Sequence, residues 1–171
     1  SVDGKVGYYT RSKMIEVWES RKVVNPSSVS LNTNNMELTV GKSAQLSANV
    51  GPANASNKSV SWSSNNTAVA SVNNGTIYAN GAGTANITVS THNGKTATCR
   101  VSVHNPCTVT FTDEDGTVIE RQNVDYGGNA RTPKNPSKVG HTFSGWSGTY
   151  QGVRADSTVK ATYTKNQYKV T

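Results

Sequence analysis

The side chains able to carry chemistry in this sequence are few and scattered. Its three histidines are His92, inside a turn signal, His104, in a short connecting segment, and His141, beside Gly140. None stands at metal-ligand spacing from a cysteine or an acid. Asp113-Glu114-Asp115-Gly116 has the opening composition of a calcium loop, but the acid required at the twelfth position of such a loop is missing. An Asp-Gly hairpin turn accounts for the same residues. Gly81-Ala82-Gly83 lacks the Lys, the Ser and the helix that follow in a phosphate-binding loop, and reads as a structural turn. No Ser or Cys has a base and an orienting group in local view. These residues assign no catalytic, metal or cofactor site, and the expectation is a chain that is not an enzyme.

The two cysteines belong to different strand patterns. Cys99 keeps phase with Ala97, Val101 and Val103, and Cys107 keeps phase with Val109 and Phe111. A disulfide needs Cβ atoms about 4 Å apart, whereas the stretch from Cys99 to Val103 alone extends by roughly 13 Å at strand rise. Only a sharp reversal at Asn105-Pro106 would bring them together. Two buried thiols, one in each of two cores, are expected.

The elements that position these residues are short strands. Val29 and Leu31, Leu38 and Val40, then Leu46, Ala48 and Val50 alternate with polar residues; so do Val60 and Trp62, and Ala85, Ile87 and Val89. Turn signals separate them at Gly41-Lys42, Asn65-Asn66, Asn74-Gly75, Gly81-Ala82-Gly83 and Asn93-Gly94. Short strands punctuated about every ten residues describe an antiparallel sandwich over 27–104, with Trp62 as its inter-sheet anchor. The order "LTVGKSAQLSANVGPANASNKSVSWSSNNTAVASVNNGTIYANGAGTANITVST" resembles the group 2 bacterial immunoglobulin-like domain. The resemblance implies a small β-sandwich, a non-catalytic module of bacterial surface proteins or of phage virion proteins.

After His104-Asn105-Pro106 the character changes. Val109 and Phe111 point inward, Asp115-Gly116 makes a turn, and Val159, Ala161 and Tyr163 form a last strand, while Pro133 and Pro136 shorten any helix between. "VTFTDEDGTVI", "VDYGGNA", "PKNPSKVGHTFSGW" and "VKATYT" are similar to the Listeria–Bacteroides repeat of internalin-type surface proteins. That similarity covers about 107–164 and implies a β-grasp-like module, in which His141 takes a place usually held by a packing aromatic. It also implies a reading of the C-terminal stretch. Tyr168-Lys169-Val170-Thr171 repeats the opening Cys107-Thr108-Val109-Thr110 at an offset of 61 residues, so 165–171 starts a further repeat or adds a strand to this one. The fold class is therefore all-β, a sandwich followed by a β-grasp-like repeat. Residues 1–26 read as the tail of an upstream domain or a linker, with a strand pair expected, although Met14, Ile15 and Trp18 also fit a helical face.

Composition narrows the partners. The net charge is +7. It is spread as five basic against three acidic residues in 1–26, four against one in 27–104, and eight against six in 105–171. No Lys/Arg cluster interleaves with aromatics, so nucleic acid is not expected, and a solvated surface explains the charge. Only 33% of residues are hydrophobic, and no run is long enough to insert in a membrane. Three roles follow. One is an extracellular spacer on a bacterial cell surface, made of monomeric modules within a longer chain. Another is a decoration domain on a phage particle. The third is a module that binds host or cell-wall glycans or proteins through an exposed aromatic such as Trp18, Tyr78 or Tyr150. A spacer requires modules joined end to end through a small polar interface, with hinge freedom limited by Asn105-Pro106.

Overall fold

The computed structural model of the protein describes residues 10–20 and 22–167. Helix α1 (Arg11–Ser20) begins it, so the strand pair expected near the N-terminus is not what this stretch forms. Arg, Lys, Met and Glu are strong helix formers, and Ile15 and Val17 are the only β-branched residues in it. Thr10 caps the helix, its hydroxyl 3.4 Å from the Lys13 N–H. Met14, Ile15 and Trp18 are exposed. The rest of the expectation for the N-terminal segment falls on residues 1–9, outside the described residues, as does Tyr168–Thr171.

The first module is a sandwich built from β1 (Ser28–Leu31), β2 (Asn35–Thr39), β3 (Ser43–Gln45), β4 (Ala48–Gly51), β5 (Val60–Ser64), β6 (Ala70–Asn73), β7 (Thr76–Ala79), β8 (Gly83–Thr91) and β9 (Thr96–His104). One layer is the sheet β2-β9-β8-β5, and the other combines β1-β4 with β3-β7-β6. Alternation decides which face is buried: Ala85 and Ile87 of β8 and Cys99, Val101 and Val103 of β9 point into the core against Leu46, Ile77 and Ala79. Val29, Val50 and Val89 form a second cluster, and half-buried Trp62 packs on both. Trp62 touches both clusters, but from β5 at the edge of its sheet and not from the central strand expected for the anchor. Residues ahead of β1 also bond to this module. Val24 exchanges hydrogen bonds with Ser56, and the Asn93 side chain donates to the Pro26 carbonyl at 2.7 Å.

The expected all-antiparallel pairing fails at one place. The chain breaks at residues 32–34, so β1 lies in one layer and β2 in the other, where β2 runs parallel to β9 from Asn35↔Arg100 to Thr39↔His104. A strand that switches layers reaches the far edge of the second sheet in the direction of the last strand, which an alternation pattern does not encode.

The second module is one mixed sheet, β11-β10-β13-β12. Its strands are β10 (Cys107–Thr112), β11 (Val118–Val124), β12 (His141–Ser147) and β13 (Ser157–Lys165). The first and last strands, β10 and β13, are its parallel central pair. No helix forms over 125–140; this segment crosses from edge strand β11 to edge strand β12 without regular structure, turning at Tyr126-Gly127 and Val139-Gly140, and packs Tyr126 and Ala130 on a core of Val109, Phe111, Val153 and Val159. Backbone bonds hold it there, from Gly127 N–H to the Val153 carbonyl and from Ala130 N–H to the Tyr150 carbonyl. The Gln122 side chain gives and takes one bond with the Arg131 backbone, which ties the crossing segment to edge strand β11.

Candidate functional site

The residues picked out for chemistry do not converge. His92 sits in the exposed β8–β9 turn, His104 is the last residue of β9, and half-buried His141 opens β12 with its Nδ1 3.0 Å from the Val139 carbonyl. Cys99 and Cys107 are both buried and free, each in its own core, and burial pushes the Cys99 thiol up. The Asp113–Gly116 stretch is a closed hairpin turn. Asp113 accepts from the Glu114 N–H, and the Thr117 backbone and side chain hold the Asp115 carboxyl below the usual range. Tyr163 donates its hydroxyl to Asp113 at 2.7 Å, and Lys138 pairs with Glu114 beside that ring. Desolvation, then the Asp113 hydrogen bond and charge, push the Tyr163 phenol up to about 12. Gly81 and Gly83 serve packing, since a Cβ at either would meet Ala68 or Val69 within 3 Å. Trp18, Tyr78 and Tyr150 lie on α1, on β7 and in the β12–β13 loop, three separate places.

Functional geometry does appear where the modules meet. Between β9 and β10 only Asn105 and Pro106 intervene, and proline fixes its own φ while restricting the residue before it. Around this short connection both modules contribute side chains. The Tyr126 N–H donates to the buried Thr39 hydroxyl at 2.9 Å. The Tyr126 ring stacks on His104, with centroids 3.6 Å apart and planes within 5°, and Arg154 stands 5.2 Å from the same ring. Lys42 pairs with Asp125 at 3.0 Å, and Arg154 with Glu37 at 3.6 Å. His104 Nε2 is shielded from solvent without a hydrogen-bond partner, 3.8 Å from Glu37.

The pairing is reciprocal. The first module offers one cation and one anion, Lys42 and Glu37, and the second offers Asp125 and Arg154. A half-turn between the modules would set Glu37 against Asp125 and Lys42 against Arg154, so charge selects one orientation. Each exposed pair contributes about 0–1 kcal/mol, the ring stack about 0.5–1.5 and the Thr39 bond about 0.5–1.5. Together they hold the junction by a few kcal/mol, and the interface is polar. Sequence reading found the linker but missed these partners, because a Lys, a Glu or an Arg on a strand end looks like any solvated charge.

Two family models match the two modules. Residues 26–101 match the bacterial Ig-like domain of group 2, and residues 108–169 match the Listeria–Bacteroides repeat domain. The chain is an Ig-like domain followed by a Listeria–Bacteroides repeat. Both are non-catalytic domain families, and both are typical of bacterial surface or extracellular proteins. A curated relative, an uncharacterized protein of Clostridium acetobutylicum, is 34% identical over 108 residues. The match covers 63% of this chain and 10% of the relative, so the chain spans a tenth of that protein's length. Among the described residues no helix is long and apolar enough to cross a membrane. The junction described above therefore joins the Ig-like domain to the repeat, with β9 of one handing the chain to β10 of the other.

Proposed function

We propose that this chain is a non-catalytic spacer that displays other parts of a bacterial surface protein at a fixed distance and angle. One observation carries the reading. The Ig-like domain and the repeat are joined by two residues, and Tyr126, held by Thr39, His104 and Arg154, bridges them with ion pairs of alternating sign on either side. A spacer transmits position only if its joints favour one orientation at rest, and these contacts favour one. Among the described residues the exposed aromatics Trp18 and Tyr78 lie on separate elements, which favours the spacer over a glycan-binding surface on this chain. The same rigidity would serve decoration of a phage particle, and the neighbouring genes distinguish the two settings.

Small-angle scattering on the whole chain tests the reading. The expected distance distribution has an elongated tail, and Tyr126→Ala combined with Arg154→Ala broadens it without unfolding either module. A globular distribution for the unaltered chain would sink the proposal.

A further inference from the structure

In each module the leaving strand lies parallel beside an early strand: the second strand, β2, in the Ig-like domain and the first, β10, in the repeat. In the Ig-like domain β2 and β9 are parallel over five register pairs, from Asn35↔Arg100 to Thr39↔His104. Two further bonds flank this ladder, from Arg100 N–H to the Asn34 carbonyl and from Val40 N–H to the His104 carbonyl. In the repeat β10 and β13 are parallel from Val109↔Ser157 to Thr112↔Lys160.

This arrangement has a mechanical consequence. Tension applied along the chain enters β2 at its N-terminal end and leaves β9 at its C-terminal end. Because the strands are parallel, the two pulls act in opposite senses along neighbouring strands. The ladder is then sheared, and its hydrogen bonds share the force and must fail together. Had the entering and leaving strands been antiparallel neighbours, both pulls would act at one end and open the bonds singly. The same reasoning applies to β10 and β13. Buried Val101, Val103, Val109, Phe111 and Val159 lie along the two ladders and keep water from replacing strained bonds. Strand β1 is held on β4 by four antiparallel pairs and enters ahead of β2, so it is the piece that leaves first. The Asn105-Pro106 connection then passes tension from β9 to β10 with no slack chain between.

We infer that the two modules are shear clamps, which keep a surface tether folded while it is pulled from its ends. The inference rests on the spacer reading for its setting, and on strand direction for its mechanism.

Single-molecule force spectroscopy on the whole chain tests it, since forced unfolding reports the rate of barrier crossing under load. The repeat is pulled in two directions: through linkages at Asn105 and Gln167, which shear β10 against β13, and at Asn105 and Ala155, which peel the same pair from one end. The expected unfolding force is several-fold higher in the first direction. Equal forces would overturn the proposal. For the Ig-like domain, Val40→Pro removes the N–H donated to His104 and should lower that domain's unfolding force in end-to-end pulling while leaving the repeat's unchanged. An unchanged Ig-like force in a Val40→Pro chain with a native circular dichroism spectrum would also count against it. Direction-independent forces with an elongated scattering profile would remove the clamp and leave the spacer. Directional forces with a globular profile would do the reverse.

Discussion

Phe111→Ala is the sharpest test of the claim that the chain holds two separate cores. The ring is fully buried in the repeat among Val109, Val153 and Val159. It meets Trp146 edge-on at 5.1 Å between centroids and Tyr150 at 6.1 Å. Truncating such a ring costs about 3–5 kcal/mol, and the lost aromatic pair belongs to the upper part of that range. A module of roughly sixty residues holds only about 3–9 kcal/mol at ~0.05–0.15 kcal/mol per residue. The substitution therefore removes half or more of the repeat's stability. With a urea slope near ~1 kcal/mol per molar for so small a unit, the midpoint should fall by roughly 4–5 M. The two modules carry their own reporters, Trp62 in the Ig-like domain and Trp146 in the repeat. Fluorescence in W18F/W62F and W18F/W146F backgrounds reads them one at a time. The Trp146 transition should move and the Trp62 transition should stay. A Trp146 shift worth less than about 1 kcal/mol would refute the burial argument, and equal shifts of both would show one cooperative unit in place of two.

Two further outcomes follow from local geometry. Gly75 and Gly94 have nearly the same left-handed backbone, at φ +81 and +82, but a Cβ at Gly75 would lie 2.4 Å from the Leu46 carbonyl oxygen while Gly94 faces open space. Gly94→Ala should cost about 1 kcal/mol and Gly75→Ala at least about 2–3 in thermal melts; equal costs would mean the Gly75 turn relaxes freely. Tyr163 titrates near 12 in the folded chain against about 10 when unfolded, so its contribution is complete below pH ~10 and is lost as pH rises through the folded value. Ultraviolet titration should show its tyrosinate absorbance missing until near 12 and returning at lower pH in Asp113→Asn, and an unchanged profile in that variant would remove Asp113 from the cause.

What the sequence disclosed and what it hid divide by range. Alternation placed Ile87 and Val89, Val109 and Phe111, and both cysteines on the correct faces, because side-chain direction in a strand is a local property. Asn74-Gly75 and Asp115-Gly116 marked their hairpins for the same reason. The parallel partnership of β2 with β9 leaves no local trace; it exists because residues 32–34 redirect the chain from one layer to the other. Residues 11–20 show the opposite failure. Met14, Ile15 and Trp18 satisfied strand and helix patterns alike, and the helix formers around them decided it. At the junction, Lys42 and Asp125 are far apart in the chain, and nothing about either residue names the other.

The two long-range features impose an order of failure on the molecule. The contacts around Tyr126 are mostly exposed and are worth a few kcal/mol in all, so they open and close far more readily than a module unfolds. The ladders between β2 and β9 and between β10 and β13 lie beside buried side chains and give way only as a set. Under a sideways load on the proposed spacer the joint would therefore yield first, the modules would swing about Asn105-Pro106, and reclosure would restore the orientation that pairs Lys42 with Asp125 and Arg154 with Glu37. Under an end-to-end load the joint is drawn straight, and the force passes into strands that resist it in shear. On the proposed spacer reading, a tether made this way would bend at its joints before its modules lengthen, and would return to one resting orientation when the load is gone.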